Sequence, residues 1–282
     1  MPKVTTPSPA LVTGASRGLG RAIAIGLATR GHPVALVARS TDALTDFAQA
    51  IGDDGGTAVA VPTDVRRPDA VDDMRTHVID SIGPPGIVVN AAGVFGPINL
   101  IPDTDPAEWI NTIMVDAVAP YLVCRAFVGD MIAAGWGRII NVTSAAALHP
   151  PGPLSSAYGT AKVALNQFTR HLASELVGTG VTANVLHPGD VKTEMWAEIR
   201  DRAEAAGPAG AAYQQWVQWV DETGGDPPHK AVDAIVRLCG EDAADTSGQF
   251  CWIDDPLQPP IPSWDTTVDA RPWAADGAED GP

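Results

Sequence analysis

A strand that runs straight into a glycine-rich turn and out again into a helix leaves a chain few folds to choose from, and this sequence opens on one. Residues 10–13 (ALVT) are apolar and suit a short buried strand. They lead into GASRGLG at 14–20, where Gly14, Gly18 and Gly20 form a G-x-x-x-G-x-G pattern, and RAIAIGLA at 21–28 continues as a helix. Glycines let the backbone turn tightly and come close to a phosphate group, while the N-terminus of the helix offers N–H donors and the positive end of its dipole. Ser16, Arg17 and Leu19 lie in the same turn.

The alternation then continues. Apolar runs of strand length recur at 33–38, 57–61, 87–90, 138–144, 181–187 and 247–253. Between them lie segments of helical character near 41–51, 68–82, 107–134, 155–178 and 230–240. Pro120 is expected to kink the third of these helices or remove one hydrogen bond from it. The pattern predicts an α/β fold with a doubly wound, mostly parallel sheet of the Rossmann type, in a single domain over 10–253. Residues 1–9 read as a frayed extension and 254–282 as a Pro-, Trp- and Asp-rich tail. Residues 194–228 have no strand pattern and carry Met195, Trp196, Tyr213, Trp216 and Trp219. They predict one or two helices that either cover a pocket mouth or simply pack against the domain.

Chemistry concentrates between Ser144 and Lys162. Ser144 follows the buried strand at 138–143, and Tyr158 and Lys162 are four apart in a helical segment, which puts both on one face. A phenol is a poor acid or base near neutral pH, but an ammonium group one turn away favours the phenolate. Such a phenol can protonate a carbonyl oxygen as hydride reaches the carbon, and a serine hydroxyl can hold that oxygen.

The other marked residues share an address with Ser144: each ends or follows a strand, where doubly wound sheets bind ligands. They are the glycine turn, Arg39 and Ser40, Asp64 and Val65, Asn90 to Gly93 with Ala91 between, and Pro188 to Thr193 with Gly189 and Val191. After the second strand a dinucleotide fold carries an acid for the NAD ribose or a base for the NADP 2′-phosphate. Arg39 and Ser40 stand here with no acid before Asp42, and Arg17 is a second base in reach. NADP(H) is the cofactor these residues predict.

Composition narrows the partners. A net charge of −16, from 18 basic and 34 acidic residues, disfavours nucleic acid and anionic membrane surfaces, whose binding relies on Lys and Arg. It also counts against an acidic carrier protein. Cys124, Cys239 and Cys251 are widely spaced and form no metal-binding cluster, so reduced thiols in the cytoplasm are the expectation. No signal-peptide core is seen at the N-terminus, and no continuous apolar run approaches the roughly 18 residues of a membrane span.

Taken together, TGASRGLG (13–20), ARS (38–40), DV (64–65), NAAG (90–93), Ser144 with Y-x-x-x-K (158–162) and PGDVKT (188–193) make the chain resemble the short-chain dehydrogenase/reductase family over residues 10–253. The resemblance implies NAD(P)(H)-dependent interconversion of an alcohol and a ketone, and a homotetramer or dimer built partly from the helices at 107–134 and 155–178. It casts Tyr158 as acid/base, Lys162 as the group that lowers its pKa and holds the nicotinamide ribose, and Ser144 as the carbonyl's anchor. Val191 and Thr193 would fix the carboxamide, Asn90 and Gly93 the ribose region, Asp64 and Val65 the adenine, and Arg39 the 2′-phosphate. Asp116 stands where the family carries an Asn that helps hold a water beside the lysine. A carboxylate there adds negative charge near Lys162 and works against its pull on Tyr158. His149 and Trp196 are candidates for the substrate pocket, while His187 reads as structural. The leading expectation is an NADP(H)-dependent reductase or dehydrogenase of a small to medium apolar molecule. The alternatives are a 3-oxoacyl-[acyl-carrier-protein] reductase and a cofactor-binding regulatory or scaffold protein without turnover.

Overall fold

The computed structural model describes residues 7–148 and 152–253. Seven parallel strands form one sheet in the order β3-β2-β1-β4-β5-β6-β7. In chain order they are β1 (Ala10–Thr13), β2 (Val34–Ala38), β3 (Ala58–Pro62), β4 (Ile87–Asn90), β5 (Gly137–Val142), β6 (Val181–His187) and β7 (Phe250–Trp252). The helices are α1 (Gly18–Ala28), α2 (Thr41–Asp53), α3 (Pro68–Ile82), α4 (Pro106–Ile113), α5 (Ala119–Ala134), α6 (Ser156–Glu175), α7 (Glu194–Ala205), α8 (Ala211–Thr223) and α9 (Pro228–Cys239).

Both sheet faces are covered, which is why the strands read as continuous apolar runs rather than alternating ones. Ala10 and Val12 of β1 face a core shared with α1, α2 and α9, where Ile23, Phe47 and Ile235 are buried. Leu11, between them, faces the opposite core with α3, α5 and α6, where Met74, Phe127 and Leu172 are buried. The sheet order reverses between β1 and β4. There Thr13 pairs in register with Asn90, which pairs in turn with Asn141. The ends of β1, β4 and β5 are therefore level, and Gly14, Ala91 and Thr143 leave the sheet side by side.

The long helix expected over 107–134 runs without a break from Pro106 to Ala134, and α4 and α5 are its two halves on either side of a wide π turn at Met114–Val118. Pro120 follows directly on the π turn, where the widened backbone accommodates its missing N–H. The stretch Pro106–Ala134 is long and apolar enough to cross a membrane by length and composition. Asp116, Arg125 and Asp130 hide this from a search for unbroken apolar runs. Its residues Leu122, Val123, Phe127 and Met131 are buried in the sheet-facing core, so core packing accounts for its apolar character.

Candidate active site

Ser144 leaves β5 and caps the short turn Ala145–Ala147, its Oγ accepting from the Ala146 N–H at 3.2 Å. Across from it, α6 presents Tyr158 and Lys162 one turn apart, both buried. Lys162 Nζ donates to the Val142 carbonyl at 3.0 Å, which locks α6 to the end of β5. Ser144 stands close enough to Tyr158 for its hydroxyl to favour the phenolate, and the ring of Phe95 packs on the phenol with centroids 4.6 Å apart.

Behind Lys162 lies Asp116, fully buried in the π turn. Its Oδ1 accepts from the Val94 N–H at 2.9 Å, and its Oδ2 lies 3.1 Å from Lys162 Nζ. The second contact is an ion pair off the direction of a good hydrogen bond, so Oδ2 has no hydrogen-bond partner among the described residues. Burial pushes the Tyr158 hydroxyl above its ordinary pKa; Lys162 pulls it down and Asp116 pushes it up again. Burial opposes the Lys162 ammonium, but Asp116 and Tyr158 outweigh it and hold the lysine above its usual value. The Asp116 carboxyl is raised by burial, against the pull of Lys162 and the Val94 N–H. This is the charge opposition that the sequence suggested for an aspartate at 116.

From Tyr158 a cleft of about 680 Å³ runs along the strand ends to Arg39. Gly14, Ser16, Arg17, Gly18, Leu19 and Gly20 line it, with Arg39, Ser40, Asp64, Val65, Ala91 and Gly93. So do Ser144, Tyr158, Lys162, Pro188, Gly189, Val191, Thr193 and Trp196. Gly14 has φ +69°, and a Cβ there would come within 2.8 Å of the Ala92 backbone; only glycine holds this turn. Thr13 Oγ1 accepts from the N–H groups of Ala91 and Ala92, both at 3.1 Å, and so ties the glycine turn to the end of β4. No side chain caps the first turn of α1, which leaves its N–H groups available to an anion. A long cleft, an uncapped helix start behind a glycine turn and arginines at the far end fit a dinucleotide.

Not every expected residue lines the cleft. Asn90 is buried and donates to Asn141 Oδ1 at 2.8 Å and towards Cys124 Sγ, so its side chain braces β4 against β5. Asp116 acts through Lys162 rather than at the cleft wall. His149 lies outside the described residues. His187 accepts from the Ala145 N–H at 3.3 Å through Nδ1 and packs edge-on against Trp252, a structural setting at the cleft edge. Arg66 was missed. It grips Asp64 in a fork, Nε at 2.8 Å and Nη2 at 2.5 Å, and donates to Asn111 at 2.6 Å. Arg66 holds the Asp64 carboxyl below its ordinary pKa. The available signal was a base two residues after an acid in a strand-end loop.

Residues 194–228 fold as two helices, α7 and α8, over the tyrosine end of the cleft. Met195, Trp196, Ile199 and Trp216 line it there, with Phe95 opposite. Trp216 donates Nε1 to Asp190 at 3.0 Å, and Asp190 in turn exchanges backbone and side-chain hydrogen bonds with Asp226. The segment both lines the cleft and packs, since Trp196, Ile199, Val217 and Val220 are buried in one cluster with Phe95 and Tyr158. Trp219, by contrast, is half exposed and does not line the cleft.

The sequence profile described as short chain dehydrogenase matches residues 8–204. A short chain dehydrogenase of Pseudocercospora fijiensis is 37% identical over 190 residues, which are 67% of this chain and 61% of that protein. The 3-oxoacyl-[acyl-carrier-protein] reductase of Pseudomonas aeruginosa is 34% identical over 198 residues, 70% of this chain and 79% of that one. A crystal structure of an actinorhodin polyketide ketoreductase variant with NADPH superposes with a TM-score of 0.80 at 26% identity, covering 87% of this chain and 95% of that one.

Proposed function

The chain belongs to the short chain dehydrogenase family, and from that premise we propose that it is an NADP(H)-dependent oxidoreductase of a ketone or secondary alcohol on a small to medium apolar molecule. The observation that carries the reading is the buried Tyr158–Lys162 pair facing the half-buried Ser144 at the end of a dinucleotide-sized cleft. When bound, the nicotinamide supplies or takes the hydride. Tyr158 gives its proton to the carbonyl oxygen in reduction and takes it back in oxidation, and Ser144 holds that oxygen with its hydroxyl. Lys162, fixed by Val142, favours the phenolate and supplies donors for the nicotinamide ribose. Val191 and Thr193 are the residues for the carboxamide. Asp64 and Val65 border the adenine, and Arg17, Arg39 and Ser40 support the choice of a 2′-phosphate.

The aromatic and apolar lid residues support an apolar substrate, and α7 and α8 keep water from the phenol. A 3-oxoacyl thioester is the second reading, favoured by the Pseudomonas relative. Against it stands the net charge of −16, which disfavours an acidic carrier. The same reading makes the protein a cytoplasmic homo-oligomer. Ile110, Tyr121, Ile132 and Val163, exposed on α4, α5 and α6, support self-association, and three unpaired cysteines suit a reducing compartment.

The test is NADPH consumption across ketones, aldehydes and 3-oxoacyl thioesters, with Tyr158→Phe as control. Turnover should fall by roughly 100-fold or more in the variant while NADPH still binds. Equal turnover by Tyr158→Phe would overturn the assignment.

A further inference from the structure

Two carboxylates of the lid face the glycine turn. Glu198 Oε1 pairs with Arg17 Nη2 at 3.2 Å. Glu194, one turn earlier on the same face of α7, brings Oε2 to 3.1 Å from where a Cβ on Gly18 would stand. Gly18 begins α1, whose first turn has no side-chain cap. The lid thus sets one anion on the arginine of the turn and another beside the helix start behind it, the two kinds of place a dinucleotide's phosphates prefer.

We propose that Glu198 is a specificity-determining residue for the cofactor, holding Arg17 in competition with a 2′-phosphate. The proposal rests on Arg17 being a 2′-phosphate ligand, as the preceding reading has it. A phosphorylated ribose gains Arg17 only as Glu198 gives it up, so part of the discrimination against the unphosphorylated cofactor is spent on breaking that pair. Arg17 and Glu198 are 58% and 47% exposed, so the pair is a surface ion pair. Its loss is worth a factor of roughly 1.4 to 5 in affinity, more at low salt and less at high. Lid position and cofactor choice become one equilibrium, because Glu198 sits on the helix that covers the substrate.

The experiment measures dissociation constants of 2′,5′-ADP and 5′-AMP by calorimetry for the full chain and for Glu198→Gln, Arg17→Gln and the double variant. Glu198→Gln should tighten 2′,5′-ADP by roughly 1.4- to 5-fold at low salt and leave 5′-AMP unchanged. The gain should vanish in the double variant. Equal tightening of both ligands would overturn the proposal, since the lid acid would then repel phosphate in general. So would a gain that survives without Arg17, or no change while Arg17→Gln weakens 2′,5′-ADP; the last leaves the role of Arg17 intact. If Arg17→Gln affects neither ligand, the 2′-phosphate reading fails and the proposal falls with it.

Discussion

Replacing Asp116 by Asn removes one charge and almost no volume from behind the lysine, so it isolates the electrostatics of the phenol. Lys162 Nζ stands 5.5 Å from the centre of the Tyr158 ring. At an effective dielectric of about 20 that ammonium favours the phenolate by about 3 kcal/mol. Asp116 Oδ2 is 3.1 Å beyond Nζ at most, so the carboxylate opposes the phenolate by at least about 2 kcal/mol. Asp116 therefore cancels more than half of what Lys162 provides. Without its charge the phenolate fraction below the titration should rise roughly 30-fold. In alcohol oxidation, where Tyr158 is the base, the rising limb of the pH–rate profile moves to lower pH, with roughly 30-fold faster turnover at a pH below the wild-type limb. In ketone reduction, where Tyr158 is the acid, the falling limb at high pH moves the same way. Lys162 keeps the Val142 carbonyl but loses its counter-charge, so the fold should lose about 3–5 kcal/mol. Thermal melting at the assay pH reads that loss and confirms that the variant is folded. Superimposable pH profiles would refute the reasoning, because they would mean that Asp116 is already neutral and Lys162 acts unopposed. A limb displaced to higher pH would refute its sign.

A Cβ on Gly20 would fall against the carbonyl oxygen of Gly14, so Gly20→Ala must open the glycine turn. We expect the midpoint of thermal unfolding to drop by about 5–10 °C with loss of cofactor binding, and an unchanged midpoint with normal binding would contradict the turn's geometry. Burial pushes the Asp226 carboxyl up, but the Asp190 N–H and Lys230 outweigh it and leave its pKa below the ordinary 3.8. A lowered carboxyl stabilises the fold above its unfolded pKa and loses that contribution as pH falls through the folded one. Protection factors for amide exchange over 211–227, corrected for the intrinsic rate at each pH, should therefore hold from neutral pH down to about 4 and fall below it. Uniform protection of the lid to pH 2 would show that this anchor does not hold it.

The glycine turn, the strand ends and the Tyr158–Lys162 pair were legible because each is local: a few residues, a fixed spacing and one physical reason. The parallel sheet followed because strands buried on both faces cannot disguise their apolar runs. What the chain did not disclose depends on contacts distant in sequence. Asn90 lies in a motif that ends at the cleft, but its amide is taken by Asn141, 51 residues away. Arg66 looks like a solvated loop base until its fork on Asp64 and its bond to Asn111 are seen. Pro120 announces a disturbance in its helix but not its form. The form it takes is the wide turn immediately before it. The charge pairing of Asp116 with Lys162 followed from the family resemblance, which sets residue 116 beside the lysine. Its complete burial, in the π turn, was not legible in the sequence.

That turn makes the identity of the group facing Lys162 a matter of counting. A π turn is an α-helix carrying one surplus residue, and each residue advances a helix by about 100°. Deleting a single residue among 113–115 would let α4 run into α5 as regular α-helix. The side chain brought round to the lysine would then be set by helical phase rather than by the local widening. Because both neighbours of Asp116 in sequence are apolar, Val115 and Ala117, the partner of Lys162 could be erased by an indel that leaves every other residue lining the cleft intact.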